Sequence, residues 1–210
     1  MINILIADDH VLVREGLKKI IKSESDMTIC GEASNASEVF ERVSDAGTDI
    51  VLLDISMPGS TGLEVLERLK RDHPKLPILI LSMHPEDSFA VRAFKAGAAG
   101  YITKGSAVEE LVQAIRKIVG GGKYVTPTLA EKLASELETD HTRLPHEMLS
   151  NREFQIMRLI AAGKKISAIA EELALAPSTV NTYRVRILEK MNMRSNAELT
   201  RYAVENELIE

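Results

Sequence analysis

The sequence predicts an α/β protein: a doubly wound five-stranded parallel sheet joined to a second, smaller all-α domain. Three observations lead there. Over the first 119 residues, five short apolar runs alternate with five stretches of helical periodicity, the pattern of βα units with right-handed crossovers. The run Ile50-Val51-Leu52-Leu53 is apolar throughout and closes on Asp54, with Pro58, Gly59 and Gly62 just beyond. Such a run reads as a strand buried on both faces and ended by a turn. From Leu149 onward only helical spacing remains.

Taken in order, the first strand is expected over 2–7 and is closed by Asp8-Asp9. A helix over 11–21 follows from the spacing of Val13, Leu17, Ile20 and Ile21. The second strand is expected at 28–33, and the second helix at 36–43 with Asn35 or Ser37 as its cap. Strand three covers 49–54. Helix three covers 62–71, with Leu63, Leu66 and Leu69 on one side, and His73-Pro74 stops it. Strand four is placed at 76–81, ending in Ser82, and helix four at 88–95, closed by Gly97. Strand five, 100–103, ends in Lys104, and helix five, 108–119, turns Leu111, Val112, Ile115 and Ile118 inward.

Gly120-Gly121-Gly122 then reads as a flexible break, followed by a connecting helix at 128–137 with Pro127 at its start. Residues 138–147 show no apolar period and read as linker. The organisation expected is therefore 1–119, a linker 120–147, and 148–210. Within the last part, helices are expected at 151–162, 167–175, 178–191 and 196–207, with Gly163 and Pro177 marking joints.

Composition narrows the class. The 210 residues suit two small domains, and a single cysteine, Cys30, excludes an internal disulfide. No run reaches the ~18 apolar residues of a membrane span. The start is too short and acidic for a signal peptide, so a cytoplasmic protein with no membrane partner is expected. The net charge of −5 belongs wholly to residues 1–144, because 145–210 hold nine basic and nine acidic residues. Inside that neutral part, Arg184, Arg186, Lys190 and Arg194 face Glu189 alone over 178–194, a basic patch on an expected helix.

The strand ends carry the chemistry. Asp8, Asp9, Asp54, Ser82 and Lys104 all fall at carboxyl ends of expected strands, the edge where open α/β sheets place their ligands. Three carboxylates there repel unless they share a cation, and oxygen donors in that number suit Mg²⁺. Lys104 adds a charge suited to a phosphoryl group, and Ser82 could hydrogen-bond one. The arrangement permits attack by an aspartate carboxylate on phosphorus; a salt-bridged structural cluster is the alternative on spacing alone.

Residues 1–119 resemble a response-regulator receiver domain, which is flavodoxin-like in fold. The resemblance rests on Asp8-Asp9, on LLDISMPGSTGLE around Asp54, on Ser82, and on AGAAGYITK ending in Lys104. It implies that Asp54 accepts a phosphoryl group from the phosphohistidine of a sensor histidine kinase. It also implies Mg²⁺ held by Asp9 and Asp54, by Asp8 through water, and by the main-chain carbonyl of Ser56. Ser82 and Tyr101 become the switch pair, the hydroxyl moving toward the phosphoryl group as the ring turns inward. Many receivers follow the lysine with proline; Gly105 stands here, where a cis peptide is costlier.

The last part resembles the LuxR-type helix-turn-helix of the NarL/FixJ family. The carrying residues are Leu149-Ser150-Asn151-Arg152-Glu153, Ile169-Ala170-Glu171-Glu172-Leu173 and Ser178-Thr179-Val180-Asn181-Thr182-Tyr183. The last run opens the recognition helix, with Ser178 as its expected cap. At ~100° per residue, Val180, Ile187 and Met191 face the core, while Thr182, Val185 and Arg186 lie outward with Asn181 on the flank. Arg184 falls near the buried stripe, its head snorkelling outward. Base contacts are expected from Asn181, Thr182 and Val185. Backbone contacts are expected from Lys164, Lys165, Arg186 and Lys190, with Ser178 and Thr179 at the helix start. The five histidines, His10 and His84 among them, show no metal-ligand spacing and are read as surface or structural.

The expected function is a phosphorylation-switched transcription regulator that binds double-stranded promoter DNA as a homodimer and is not an enzyme. Two rivals stand beside it: a regulator that binds DNA without phosphorylation, and an aspartate-nucleophile phosphohydrolase. The second rival usually carries Asp-x-Asp after its first strand, a pattern that Asp8-Asp9 and Asp54-Ile55-Ser56 do not supply.

Overall fold

A computed structural model of the chain describes residues 1–45, 47–55, 57, 61–83, 88–138 and 144–209. They divide into two compact units, Met1–Ala134 and Ser135–Glu210. In the first, strands β1 (Ile2–Ala7), β2 (Met27–Ala33), β3 (Ile50–Asp54), β4 (Ile78–Ser82) and β5 (Gly100–Thr103) form one parallel sheet in the order β2-β1-β3-β4-β5. Helices α1 (Val11–Ser23), α2 (Ala36–Asp45), α3 (Gly62–Asp72), α4 (Ser88–Lys95) and α5 (Val108–Val119) alternate with the strands. The expected doubly wound α/β sheet is what forms.

Strand alternation builds two cores. Ile4, Ile6, Ile50, Leu52, Leu79, Leu81 and Ile102 cluster with Leu17 and Ile21 of α1 and with Leu111, Ile115 and Ile118 of α5. Leu5, Val51, Leu53, Ile80 and Tyr101 are one position out of phase and fully buried, so they point to the opposite face. Each such Leu or Ile contributes about 1.5–3 kcal/mol on burial. The β1–β2 pairing is regular except for a shift between Ile4 and Leu5.

Local chemistry sets the ends. Of the two candidate caps for α2, Asn35 is the one used: its Oδ1 accepts the Glu38 amide at 3.1 Å. The start of α3 is a reciprocal box, with Thr61 Oγ1 accepting from Glu64 N at 3.1 Å and Glu64 Oε2 accepting from Thr61 N at 2.9 Å. Gly97 closes α4 with φ +99°. β4 starts two residues later than expected because Pro77 has no N–H to donate to the ladder.

The triple glycine is not an open break. Gly120, Gly121 and Gly122 return their amides to Arg116, Ile118 and Lys117 carbonyls, and Gly121 takes φ +89°, so they cap α5. The chain then comes back to the sheet: Tyr124 N donates to Ala99 O at 2.9 Å, and Tyr124 bridges Gly100 in parallel. Helix α6 (Pro127–Glu138) follows and buries Leu129.

The second unit is helical: α7 (Asn151–Ala161), α8 (Ile166–Glu172), α9 (Pro177–Lys190) and α10 (Asn196–Glu205), preceded by a 3-10 turn at Pro145–Met148. The first three residues of that turn, 145–147, fall in the stretch expected to be linker. It persists because His146 is buried and its Nδ1 shares a 2.8 Å hydrogen bond with the Tyr202 hydroxyl. Phe154, Met157, Ile169, Val180, Ile187 and Leu199 make the core, and Val180, Ile187 and Met191 are buried as their spacing requires. Ser178 is not the cap of α9. The cap position is Ala176, without a side-chain bond. Pro177 needs no amide partner at the first helical position, so the helix starts ahead of the serine. Ala174, between α8 and α9, adopts φ +51°.

Candidate functional site

Strand register explains why the predicted residues meet. Ala7 pairs with Leu53, Asp54 with Leu81, and Ser82 with Thr103. One step on from the first and last pairs, Asp8 stands level with Asp54 and Lys104 just past Ser82. The Lys104 amide is fixed there by a 2.7 Å bond to Ser82 O. The Lys104–Gly105 peptide is trans, as is every peptide among the described residues.

The resulting pocket is buried and charged. Asp8, Asp54 and Ser82 are at most 1% exposed. Lys104 Nζ lies 2.7 Å from Asp8 Oδ2 and 3.0 Å from Asp54 Oδ2, so one ammonium spans two carboxylates taken out of water. Asp9 stays partly exposed at the rim. The Asp8 carbonyl accepts from Arg14 Nη1 at 2.6 Å, which secures the loop after β1. Tyr101 is fully buried on β5, its ring packed inside.

Sequence reasoning left out two residues that belong here. His10 Nδ1 lies 2.8 Å from Asp9 Oδ1 and 3.3 Å from Asp8 Oδ1, and its amide donates to Asp8 Oδ1; its place directly after two acids was the available signal. Gly62 donates its amide to Ile55 O at 2.9 Å, bringing the start of α3 against the backbone that carries Asp54. Ser56 and His84 lie outside the described residues.

The donor set fits a hard divalent cation. Donor atoms of Asp8, Asp9, His10 and Asp54 all lie within 4.8 Å of one another. Three carboxylates against one lysine leave an excess of negative charge that a divalent ion balances, and oxygen donors are what Mg²⁺ takes.

In the second unit, Ser178, Asn181, Thr182 and Arg186 are exposed on α9, and Val185 is 48% exposed. Ser178, Thr179, Thr182, Tyr183 and Arg186 line a shallow depression. The Thr182 hydroxyl donates back to Ser178 O at 3.0 Å. Arg184 is turned aside, its Nε donating to Asn196 Oδ1 at 2.6 Å. The lysines differ among themselves. Lys164 pairs with Glu172 at 2.6 Å and Lys190 with Glu153 at 2.6 Å. Lys165 and Arg186 are exposed and make no ion pair among the described residues.

Comparison with known proteins adds to this geometry. Residues 4–116 match the family described as response regulator receiver domain, and residues 147–203 match that described as bacterial regulatory proteins, luxR family. The chain is 39% identical over 209 residues to the response regulator UvrY of Escherichia coli, covering 99% of this chain and 96% of that one. It is 38% identical over 211 residues to the response regulator GacA of Pseudomonas viridiflava, covering 100% and 99%. In fold it is similar to RcsB from Salmonella enterica serovar Typhimurium, solved bound to promoter rprA with phosphomimetic BeF3−: TM-score 0.66, 23% identity, 96% and 98% of the two chains.

Proposed function

The chain belongs to the NarL/FixJ family of response regulators, a receiver domain followed by a LuxR-type DNA-binding helix-turn-helix, and from that premise we propose that it is a transcription regulator switched by phosphorylation of Asp54. The observation that carries the reading is the buried Asp54 carboxylate beside Asp8, with Lys104 spanning both at 3.0 and 2.7 Å. The receiver function is assigned to residues 1–119 and the DNA-binding function to 148–210, joined by the segment 120–147, whose Tyr124 packs on β5 and whose His146 packs on Tyr202.

Asp54 is the nucleophile. Its carboxylate oxygen bonds to phosphorus as the N–P bond of a sensor kinase phosphohistidine breaks, and the imidazole leaves with the electron pair. Asp9 and Asp54 would hold Mg²⁺ directly and Asp8 through water, with the Ser56 carbonyl completing the set as the resemblance implies, and the ion would neutralise charge on the phosphoryl oxygens. Lys104, already inside the pocket, moves its ammonium to a phosphoryl oxygen. Ser82 supplies a hydroxyl on the neighbouring strand, and with Tyr101 forms the switch pair. On the DNA side, Asn181, Thr182 and Val185 read bases in the major groove. Lys165 and Arg186 hold phosphates, with Ser178 and Thr179 at the helix start, whereas Lys164 and Lys190, expected to do the same, are paired with Glu172 and Glu153. A homodimer then spans two half-sites about one helical turn apart.

Acetyl phosphate with Mg²⁺ tests this reading. One phosphoryl group should add to the wild-type chain and none to Asp54→Asn; persistent labelling of the variant would remove Asp54 from its role. One observation favours a second reading, regulation without phosphorylation: the Tyr101 ring is already inside. Under that reading Asp54→Asn binds promoter DNA as the wild type does, with or without the phosphodonor.

A further inference from the structure

The first turn of α7 grips both arms of the helix-turn-helix with two consecutive residues. Arg152, 6% exposed, donates Nη2 to the carbonyl of Leu173, the C-cap residue just past α8, at 3.1 Å, and Nη1 to Gln155 Oε1 at 2.9 Å. Glu153, 4% exposed, accepts Lys190 Nζ, on the last residue of α9, at 2.6 Å. The same Oε2 accepts the Ser150 amide at 2.8 Å. Resting on the DNA-binding reading above, we propose that Glu153 and Lys190 form a positioning pair that orients the recognition helix and holds Lys190 off the DNA backbone.

The two partners are unequal, and that inequality decides where Lys190 goes. Its side chain is 44% exposed, whereas that of Glu153 is 5% exposed. A lysine leaving the pair gains water, but the glutamate left behind is a buried charge without its counter-ion, which is the costly outcome. A DNA phosphate competing for Lys190 must therefore also offset the stranding of Glu153. Lys165 carries no such obligation, because no acid holds it among the described residues. Burial alone would push the Glu153 carboxyl up, yet the Lys190 and Ser150 bonds hold it below the ordinary glutamate range. The carboxylate is thus anionic, as the pairing requires.

The inference separates Lys190 from the sequence expectation that it holds phosphate, and salt dependence reads the difference. Affinity of the full-length chain for a short random-sequence duplex is measured across a KCl series, with thermal melts as a folding control. Each phosphate contact contributes about 0.9 to the slope of log affinity against log salt. Lys190→Met keeps the aliphatic stem and should leave the slope unchanged, while Lys165→Ala lowers it by about 0.9. Glu153→Gln keeps a carbonyl oxygen for the Ser150 amide but frees Lys190, so the slope should steepen by up to about 0.9. The double variant should return to the Lys190→Met slope. A Lys190→Met slope that falls as far as that of Lys165→Ala, or a Glu153→Gln slope equal to wild type, would overturn the pair's role. Should Lys190→Met fail to fold, the Glu153→Gln arm decides alone. A wild-type chain that bound no duplex would instead overturn the DNA-binding reading itself.

Discussion

Gly62→Ala should damage the acid pocket without touching any of its charged groups. A Cβ at this position would lie 2.3 Å from the Asp54 carbonyl oxygen and 2.6 Å from Ile55 Cα, whereas ordinary contacts start at 3.4 Å. The obstacles are backbone on both counts, so no side chain can swing aside. The α3 side is held by the Thr61–Glu64 box and by the Gly62–Ile55 bond, and the strand segment carrying Asp54 has to yield by roughly 1 Å. Overpacking of this kind costs about 1–3 kcal/mol, and two backbone clashes put the expectation at the upper end. For a unit of this size that lowers Tm by roughly 10 °C. A nucleophile displaced by ~1 Å loses about 100-fold in rate. Scanning calorimetry and a time course of acetyl phosphate labelling measure both effects. A Gly62→Ala chain with wild-type melting and wild-type labelling would refute the close approach as the reason for glycine here.

Ala174→Gly should stabilise the helical unit by about 1 kcal/mol in urea titrations, since an alanine at φ +51° occupies a conformation that costs L-residues ~1–2 kcal/mol, less the entropy glycine loses. Ser150→Ala removes the acceptor for the Glu153 amide and should cost about 1 kcal/mol by the same titration. The depressed Glu153 carboxyl contributes stability that is complete above its unfolded value near 4.5 and is lost as pH falls through the lower folded value. Melting temperature followed from about pH 5 to about pH 3 should therefore drop less steeply in Glu153→Gln than in wild type. Asn181→Ala should change base preference at one position per half-site, at about 1–3 kcal/mol on the best site, in a selection from random duplexes.

The sheet and its pocket were legible because they depend on features that stay local in sequence. A strand buried on both faces shows as an unbroken apolar run, and a parallel sheet brings strand ends to one edge; Asp8, Asp54, Ser82 and Lys104 followed from those two facts. The helical faces of α3, α5 and α9 followed from their periods in the same way. Contacts between distant residues were not legible. Nothing near Lys190 announces Glu153, 37 positions away, and nothing near His146 announces Tyr202, 56 away. Both pairs depend on how helices pack, which spacing within one helix does not encode. Gly62 reads as a turn residue until the neighbouring backbone is in place. The Ser178 cap failed on a competition within three residues, where proline at 177 set the start of the helix. The S-x-x-E and T-x-x-E patterns at Ser150, Ser195 and Thr61 were local signals that did cap their helices.

The return of the chain to β5 has a consequence for self-association. An outermost strand with open amides and carbonyls is a template for another strand, and the sheet has two such borders, β2 and β5. On β5, only four residues long, Tyr124 already occupies the bridge to Gly100, and its Cβ would sit 3.1 Å from any Cβ added there. On β2 the register shift breaks the regular ladder, and Glu32 is tied back toward α1 by Arg14 and Lys18. Neither border offers a long flat ladder to a second molecule.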